Sequence, residues 1–256
     1  MLNDLVRRGV VLAAGVGSRM RPLTRGRPKA LLPFQGKPLV LYPVEALASS
    51  GIEEIAIVVG HKGEAIREAL GDGRRLGVRL KYVHNPYYRG ENALSVLMAH
   101  GWLEGEPFLL CMGDHVIESG LVSRLLEMPT IRETLCVDRV PRYCTDIDEA
   151  TKVQLDSFGF ITRIGKAITP WDAVDTGVFL LTHRFIDTAR ELIAQTGMNL
   201  EISEVVESIA GSQTGFATCD VTGLLWADMD TWEDLYTVSL GGEDWSVDTM
   251  ASSRDT

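Results

Sequence analysis

What the 256 residues lack narrows the field before any motif is considered. No run approaches the roughly 18 consecutive apolar side chains of a membrane-crossing helix. The N-terminus has neither the apolar stretch nor the small-residue cleavage site of a secretory leader, so a cytoplasmic protein that is not membrane-embedded is expected. Cysteine is scarce: Cys111, Cys136, Cys144 and Cys219 lie far apart with no C-x-x-C pair, which excludes a recognisable zinc or dithiol motif and points to free thiols in a reducing compartment. Basic charge is short, with 25 Lys+Arg against 35 Asp+Glu and a formal net charge of −10. A nucleic-acid binder rests on a basic surface that neutralises phosphates, so nucleic acid is not an expected partner. There is no internal repeat and no low-complexity tract. What is present, 45% hydrophobic and 23% charged residues, suits a soluble globular chain with a substantial core.

The charge is unevenly placed. Residues 1–37 carry eight basic side chains (Arg7, Arg8, Arg19, Arg21, Arg25, Arg27, Lys29 and Lys37) against the single acid Asp4, a local +7, while the other 219 residues hold 17 basic and 34 acidic groups. An acidic protein with a basic first segment suggests a local anion site. Arg7 and Arg8, which precede the first strand, read as solvated.

Short β-branched runs alternate with helical patterns through the first half, the pattern of parallel strands joined by crossover helices. Strands are predicted at Gly9–Leu12, Glu54–Val59, Leu80–Asn85, Pro107–Met112 and Thr134–Asp138, and helices at Pro38–Ser50, Gly63–Leu70, Asn92–Gly101 and Gly120–Glu127. From Thr151 the pattern changes: Thr151–Leu155 and Phe160–Gly165 flank a turn at 156–159 and read as an antiparallel hairpin, followed by a strand at Val174–Leu181. Helices at His183–Ala194 and Ile202–Ala210, short strands near Phe216–Asp220 and Leu224–Ala227, and a last helix to about Leu240 complete the chain. Thr231 with Asp234 three residues later reads as a variant capping box for that helix. The fold class is therefore α/β: a doubly wound, mostly parallel sheet with a small antiparallel subregion. One domain over residues 1–240 is expected, in two halves of about 1–140 and about 141–240, with a flexible polar tail at 241–256.

The most informative stretch is Val10–Thr24 (VVLAAGVGSRMRPLT), followed by Pro28–Pro33 (PKALLP) and Gly36–Pro38. A buried strand runs into Gly15 and Gly17, which let backbone N–H groups approach a phosphate, and a guanidinium and an ammonium, Arg19 and Lys29, sit within reach of the same loop. These parts suit a triphosphate. A dinucleotide fingerprint would need a third glycine where Met20 stands, and no Gly-Lys-Ser/Thr follows to make a P-loop. Asp114 follows the apolar run Phe108–Met112 and a glycine, which places a carboxylate at the carboxyl end of a parallel strand, where ligands of open α/β sheets bind. Asn92, able both to donate and to accept, suits cytosine and uracil alike, and also the N-cap of the helix that follows.

Together these strings resemble the signature of the nucleotidyltransferases that make NDP-sugars and CDP-alcohols, a Rossmann-like fold. The nearest likeness is to inositol-1-phosphate cytidylyltransferases, through Asn92–Ser95, Met112–His115, Glu149–Val153, Asp175–Phe179 and Trp226–Thr231. The resemblance implies in-line attack by an acceptor phosphate oxygen on the α-phosphorus of an NTP, with pyrophosphate leaving. It implies that Arg19 holds the β/γ-phosphates and that Lys29 bridges the α-phosphate and the acceptor. Leu12, Ala13, Ala14, Gly15, Gly17, Ser18, Asn92 and Ser95 would face the nucleotide. Magnesium, a hard ion suited to carboxylates, would be held by Asp114 and by a second acid. Sugar-nucleotide members place that acid at the position of Asp228, and several cytidylyltransferases at the position of Asp230. His115 would position neighbours or make a plain hydrogen bond. Lys166, assisted by Lys152, would grip the acceptor phosphate, and Asp175 and Glu201 would bind polyol hydroxyls. CTP is the expected donor, bound by the half about 1–140, and inositol-1-phosphate the expected acceptor, bound by the half about 141–240. The alternatives are phosphocholine, for which Tyr87, Tyr88 and Trp171 offer an aromatic cage, a phosphonate, or a hexose-1-phosphate with CTP, UTP or dTTP. A catalytically silent nucleotide-sensing subunit is the reading from another class. A free-standing enzyme or excised domain is expected, compatible with a homodimer and with a separate membrane alcohol phosphotransferase downstream.

Overall fold

A computed structural model describes residues 5–15, 17 and 26–241. Along the chain run β1 (Arg8–Ala13), β2 (Pro33–Phe34), β3 (Lys37–Pro38), α1 (Leu41–Ser49), β4 (Glu54–Val59), α2 (Gly63–Leu70), β5 (Arg79–His84), α3 (Asn92–Met98), α4 (His100–Leu103) and β6 (Phe108–Met112). Then come β7 (His115–Ile117), α5 (Ser119–Leu126), β8 (Thr134–Asp138), β9 (Lys152–Leu155), β10 (Ile161–Gly165), β11 (Ala173–Leu181), α6 (His183–Thr196), α7 (Ile202–Ala210), β12 (Ala217–Asp220), β13 (Trp226–Asp228) and α8 (Trp232–Gly241).

The main sheet has the order β10-β9-β11-β6-β1-β4-β5, with β8 paired to β11 and β12 paired to β8. The block β5-β4-β1-β6 is parallel, and β11 joins it antiparallel to β6. Alternation along β1 explains the layering. Val11 packs with Val44 and Leu47 of α1, Ile66 of α2 and Leu121 of α5, whereas Val10 packs with Val96 of α3, Phe185 of α6 and Val205 of α7. Successive side chains of a strand point to opposite faces, so a continuous apolar run needs helices on both sides. A third, smaller cluster lies beneath the β7–β13 ribbon, where Leu32, Phe34, Leu39, Tyr42, Val116, Ala227, Met229 and Val238 meet.

Several boundaries differ from the sequence reading for local reasons. Pro38 belongs to a β2–β3 hairpin, closed by Gln35 and Gly36 at φ 45° and 83°; a two-residue turn with both φ positive matches strand twist. The helix expected over Asn92–Gly101 divides in two, because the Ala99 N–H reaches back only three residues, to Val96, and tightens the turn. Arg8 is not solvated: its guanidinium, 13% exposed, meets Glu54, Glu104 and Glu106 and lies over the Trp102 ring, whereas Arg7 is exposed. The variant capping box forms, with the Thr231 N–H donating to Asp234 Oδ2 at 2.6 Å and the Asp234 N–H donating to Thr231 Oγ1 at 3.3 Å. Gly241 ends α8, and the rest of the expected tail, 242–256, lies outside the described residues.

Candidate active site

The parallel strands β1, β4 and β6 end together. Leu12 and Ala14 carbonyls at the end of β1 accept N–H bonds from Gly113 (2.9 Å) and His61 (3.3 Å), so the first strand hydrogen-bonds to the loops after its two neighbours. Gly113 is required here, since a Cβ would stand 2.6 Å from the Leu12 carbonyl oxygen, and it delivers Asp114 to the strand end.

Three further segments converge on Asp114. A single turn of 3₁₀ helix opens at Lys29 directly after Pro28, and Gly17 packs so closely on the Lys29 stem that a Cβ would lie 2.5 Å from Lys29 Cβ. β13 pairs antiparallel with β7, setting Asp228 opposite His115. Met229, fully buried in the cluster beneath, donates its N–H to the Asp114 carbonyl at 3.3 Å, and the acids on either side of it both reach Lys29. The Lys29 ammonium lies 2.6 Å from Asp114 Oδ2, 2.5 Å from Asp230 Oδ1 and 3.6 Å from Asp228 Oδ1. Burial works against its charge, but Asp114, Asp228 and Asp230 outweigh that and raise its pKa well above the lysine range.

The fourth segment is β11. Its register against β8 slips between Asp175 and Phe179, a bulge of the kind that re-aims side chains next to sites. Within it Gly177 has φ 75°, and a Cβ there would lie 2.7 Å from the His115 ring. The His115 ring fills that space and places Nδ1 3.0 Å from the Thr176 carbonyl, with Nε2 3.6 Å from Asp228 Oδ1. Burial disfavours the imidazolium, yet Asp228 and Asp114 raise its pKa to about 9. Asp228 is held below the carboxylate range, since His115 and Lys29 overcome the effect of burial. Asp175 accepts the Gly177 N–H at 2.7 Å, and burial lifts it to about 6.

A divalent cation fits this donor set. Ligand atoms of Asp114, His115 and Asp228 lie within 4.8 Å of one another. Asp228 Oδ1 is enclosed without a hydrogen-bond partner among the described residues, its two nearest cations standing at 3.6 Å. An enclosed carboxylate oxygen lacking a donor is a natural ligand for a hard ion.

The structure thus gathers Asp114, Asp228 and Asp230 around Lys29, sets His115 and Asp175 beside Asp228, and brings Leu12, Ala13, Ala14, Gly15 and Gly17 to the same strand end. Arg19 and Ser18 lie outside the described residues. Other residues expected at the site are engaged locally. The Asn92 side-chain Oδ1 accepts the Ile202 N–H at 2.7 Å, tying α3 to the start of α7. Ser95 is buried and bonded to Asn85 at 2.9 Å. Glu201 caps α7 in a reciprocal box with Glu204 and accepts from Ser203. Lys152 is buried, its ammonium bonded to the carbonyls of Asp148 and Lys166 at 2.8 and 2.7 Å. Lys166 pairs with Glu149 at 3.1 Å. Tyr88 packs near His61 and Trp171 against the α1–α2–α5 layer. The sequence reading missed the Gly177–His115 fit, whose signal was a glycine in mid-strand.

The profile of the Nucleotidyl transferase family matches residues 8–140. The chain is 36% identical over 226 residues to the Bifunctional IPC transferase and DIPP synthase of Rubrobacter xylanophilus, covering 88% of this chain and 49% of that protein. It is 31% identical to the CMP-5'-(3-aminopropyl)phosphonate synthase of Streptomyces rubellomurinus, over 87% of this chain and 37% of that one. Among solved structures, the inositol-1-phosphate CTP transferase from T. maritima superposes with a TM-score of 0.82 at 26% identity, covering 93% of this chain and 97% of that one. The chain spans about half the length of the bifunctional relatives. The chain therefore belongs to the Nucleotidyl transferase family and is an enzyme of the nucleotidyltransferase kind.

Proposed function

We propose that the protein transfers a cytidylyl group from CTP to a phosphorylated polyol, inositol-1-phosphate in the first instance, giving a CDP-alcohol and pyrophosphate. The observation that carries this reading is the meeting of Lys29 with Asp114, Asp228 and Asp230 at the carboxyl ends of β1 and β6. The names of the relatives and of the solved neighbour support the choice of base and acceptor.

An acceptor phosphate oxygen attacks the α-phosphorus in line, and the bond to the pyrophosphate oxygen breaks. The acceptor is already anionic, so no general base is needed, and alignment with charge neutralisation carries the catalysis. Asp114, with Asp228 or Asp230, would hold a magnesium ion, which supplies charge neutralisation at the α-phosphate. Lys29 meets the α-phosphate and the acceptor phosphate, and Arg19 the departing pyrophosphate. Lys166 grips the acceptor phosphate, and Lys152 anchors the backbone of that lysine. Asp175, beside His115 and Asp228, accepts hydrogen bonds from polyol hydroxyls.

The test is a matrix of five NTPs against inositol-1-phosphate, phosphocholine, 2-aminoethylphosphonate and glucose-1-phosphate, read as pyrophosphate release. CTP with inositol-1-phosphate is expected to lead. A phosphonate lead would match the Streptomyces rubellomurinus relative, UTP or dTTP with glucose-1-phosphate would overturn the cytidylyl reading, and silence throughout would favour a nucleotide-sensing subunit.

A further inference from the structure

We propose that Lys29 is the resident cation of the carboxylate cluster, and that the cluster takes a divalent ion only as a metal–nucleotide complex, whose phosphates receive the ammonium the ion displaces. This deepens the nucleotidyl-transfer reading and rests on it for the identity of the anion.

The argument starts from a shared set of oxygens. Lys29 Nζ occupies the space between Asp114 Oδ2 and Asp230 Oδ1, at 2.6 and 2.5 Å, with Asp228 Oδ1 at 3.6 Å. A magnesium ion needs oxygens at about 2.0–2.1 Å in near-octahedral geometry, and the carboxylates that would hold it, Asp114 with Asp228 or Asp230, all face the Lys29 ammonium. Two cations cannot converge on the same carboxylates without strong repulsion, so binding of the ion requires the ammonium to leave. Its side chain is only 6% exposed, and Gly17 lies against its stem. Driven off with no new anion, it would be a buried charge stripped of its partners, a change that is strongly destabilising. A nucleotide changes the balance, because a phosphate oxygen replaces the lost carboxylates as acceptor of a charge-assisted hydrogen bond. Metal and nucleotide affinities are therefore coupled through Lys29, and the coupling is reciprocal.

Binding of Mn²⁺ as a probe ion to the nucleotide-free protein, followed by calorimetry or electron paramagnetic resonance, tests this. The wild-type protein is expected to bind it at least tenfold more weakly than Lys29→Met, in which the resident charge is gone and the chain length kept. Lys29→Gln serves as a second neutral variant, and both are checked for a wild-type cooperative melt. Variants that bind Mn²⁺ no more tightly than wild type would overturn the proposal. A measurement on the wild type alone gives the same decision. Crystals soaked in Mn²⁺ without nucleotide are expected to show no anomalous peak between Asp114 and Asp228, whereas a peak there with Lys29 still bonded to Asp114 and Asp230 would overturn it. Neither readout uses turnover, so inactivity towards every nucleotide–acceptor pair would count against the proposed function and leave this result standing.

Discussion

A lysine bonded to two acids and facing a third can be misread as a structural ion pair, and the two roles separate by experiment. Lys29→Ala is expected to lower turnover at least a hundredfold, the loss of a transition-state contact of about 3 kcal/mol, measured as pyrophosphate release; near-normal turnover would remove Lys29 from the chemistry. Gly177 makes the complementary case for packing. At φ 75°, with the His115 ring 2.7 Å from where a Cβ would stand, Gly177→Ala is expected to cost about 1–3 kcal/mol in denaturant unfolding. Lys29, Asp114 and the two acids of 226–231 were legible because glycines and a short strand confine them to one spot. Asn92 and Glu201 were legible only as polar side chains of the right type. The partner of Asn92 is the Ile202 N–H, 110 positions along the chain, and no spacing rule shows which unpaired helix N–H will arrive beside a given amide. For Glu201, its own helix supplied the use, since Asp and Glu near an N-terminus serve exposed N–H groups.

At the level of elements, the reading succeeded where period and punctuation agreed. β4, α2, β8 and α7 lie where expected to the residue; β4 and β8 are buried along all or nearly all of their length around the apolar runs Ile55–Val59 and Leu135–Val137, and α2 and α7 each end at a glycine. It failed at the β2–β3 hairpin and at β7, because two- and three-residue strands have too few side chains to show a period of two. The strand ends opposite the site are fastened electrostatically. Glu54 of β4 pairs with Arg79 of β5 at 2.8 Å and with Arg8 of β1 at 3.3 Å, and the Arg79 hydrogen bond leads the causes that depress its pKa, against burial. A depressed carboxylate contributes stability above its unfolded value that is lost as pH falls through the folded one. Glu54→Gln is therefore expected to lower the melting temperature at neutral pH and to flatten its acid decline below about pH 4.3, the ordinary glutamate value. An unchanged acid limb would show that Glu54 carries none of it.

The halves assigned to nucleotide and acceptor are not separately cored. Val10, Val58 and Val96 from the first share one apolar cluster with Phe179, Phe185 and Val205 from the second. A single calorimetric transition, with calorimetric and van't Hoff enthalpies equal, is expected, and two resolved transitions would contradict a shared core. The uneven charge of the chain is consistent with this assembly, since three acids from outside the basic segment gather around its Lys29. The cross-pairing of the sheet carries a further consequence. β11 pairs with β6 and β8, β12 with β8, and β13 with β7, so every one of these ladders crosses the exposed stretch around Arg139–Val140. If the backbone were cut there, each fragment would expose unpaired strand edges that match those of the other. The cut would also part Lys29 and Asp114 from Asp228 and Asp230, so the site would exist only in the reassembled pair, and its return would report how well the two pieces find each other.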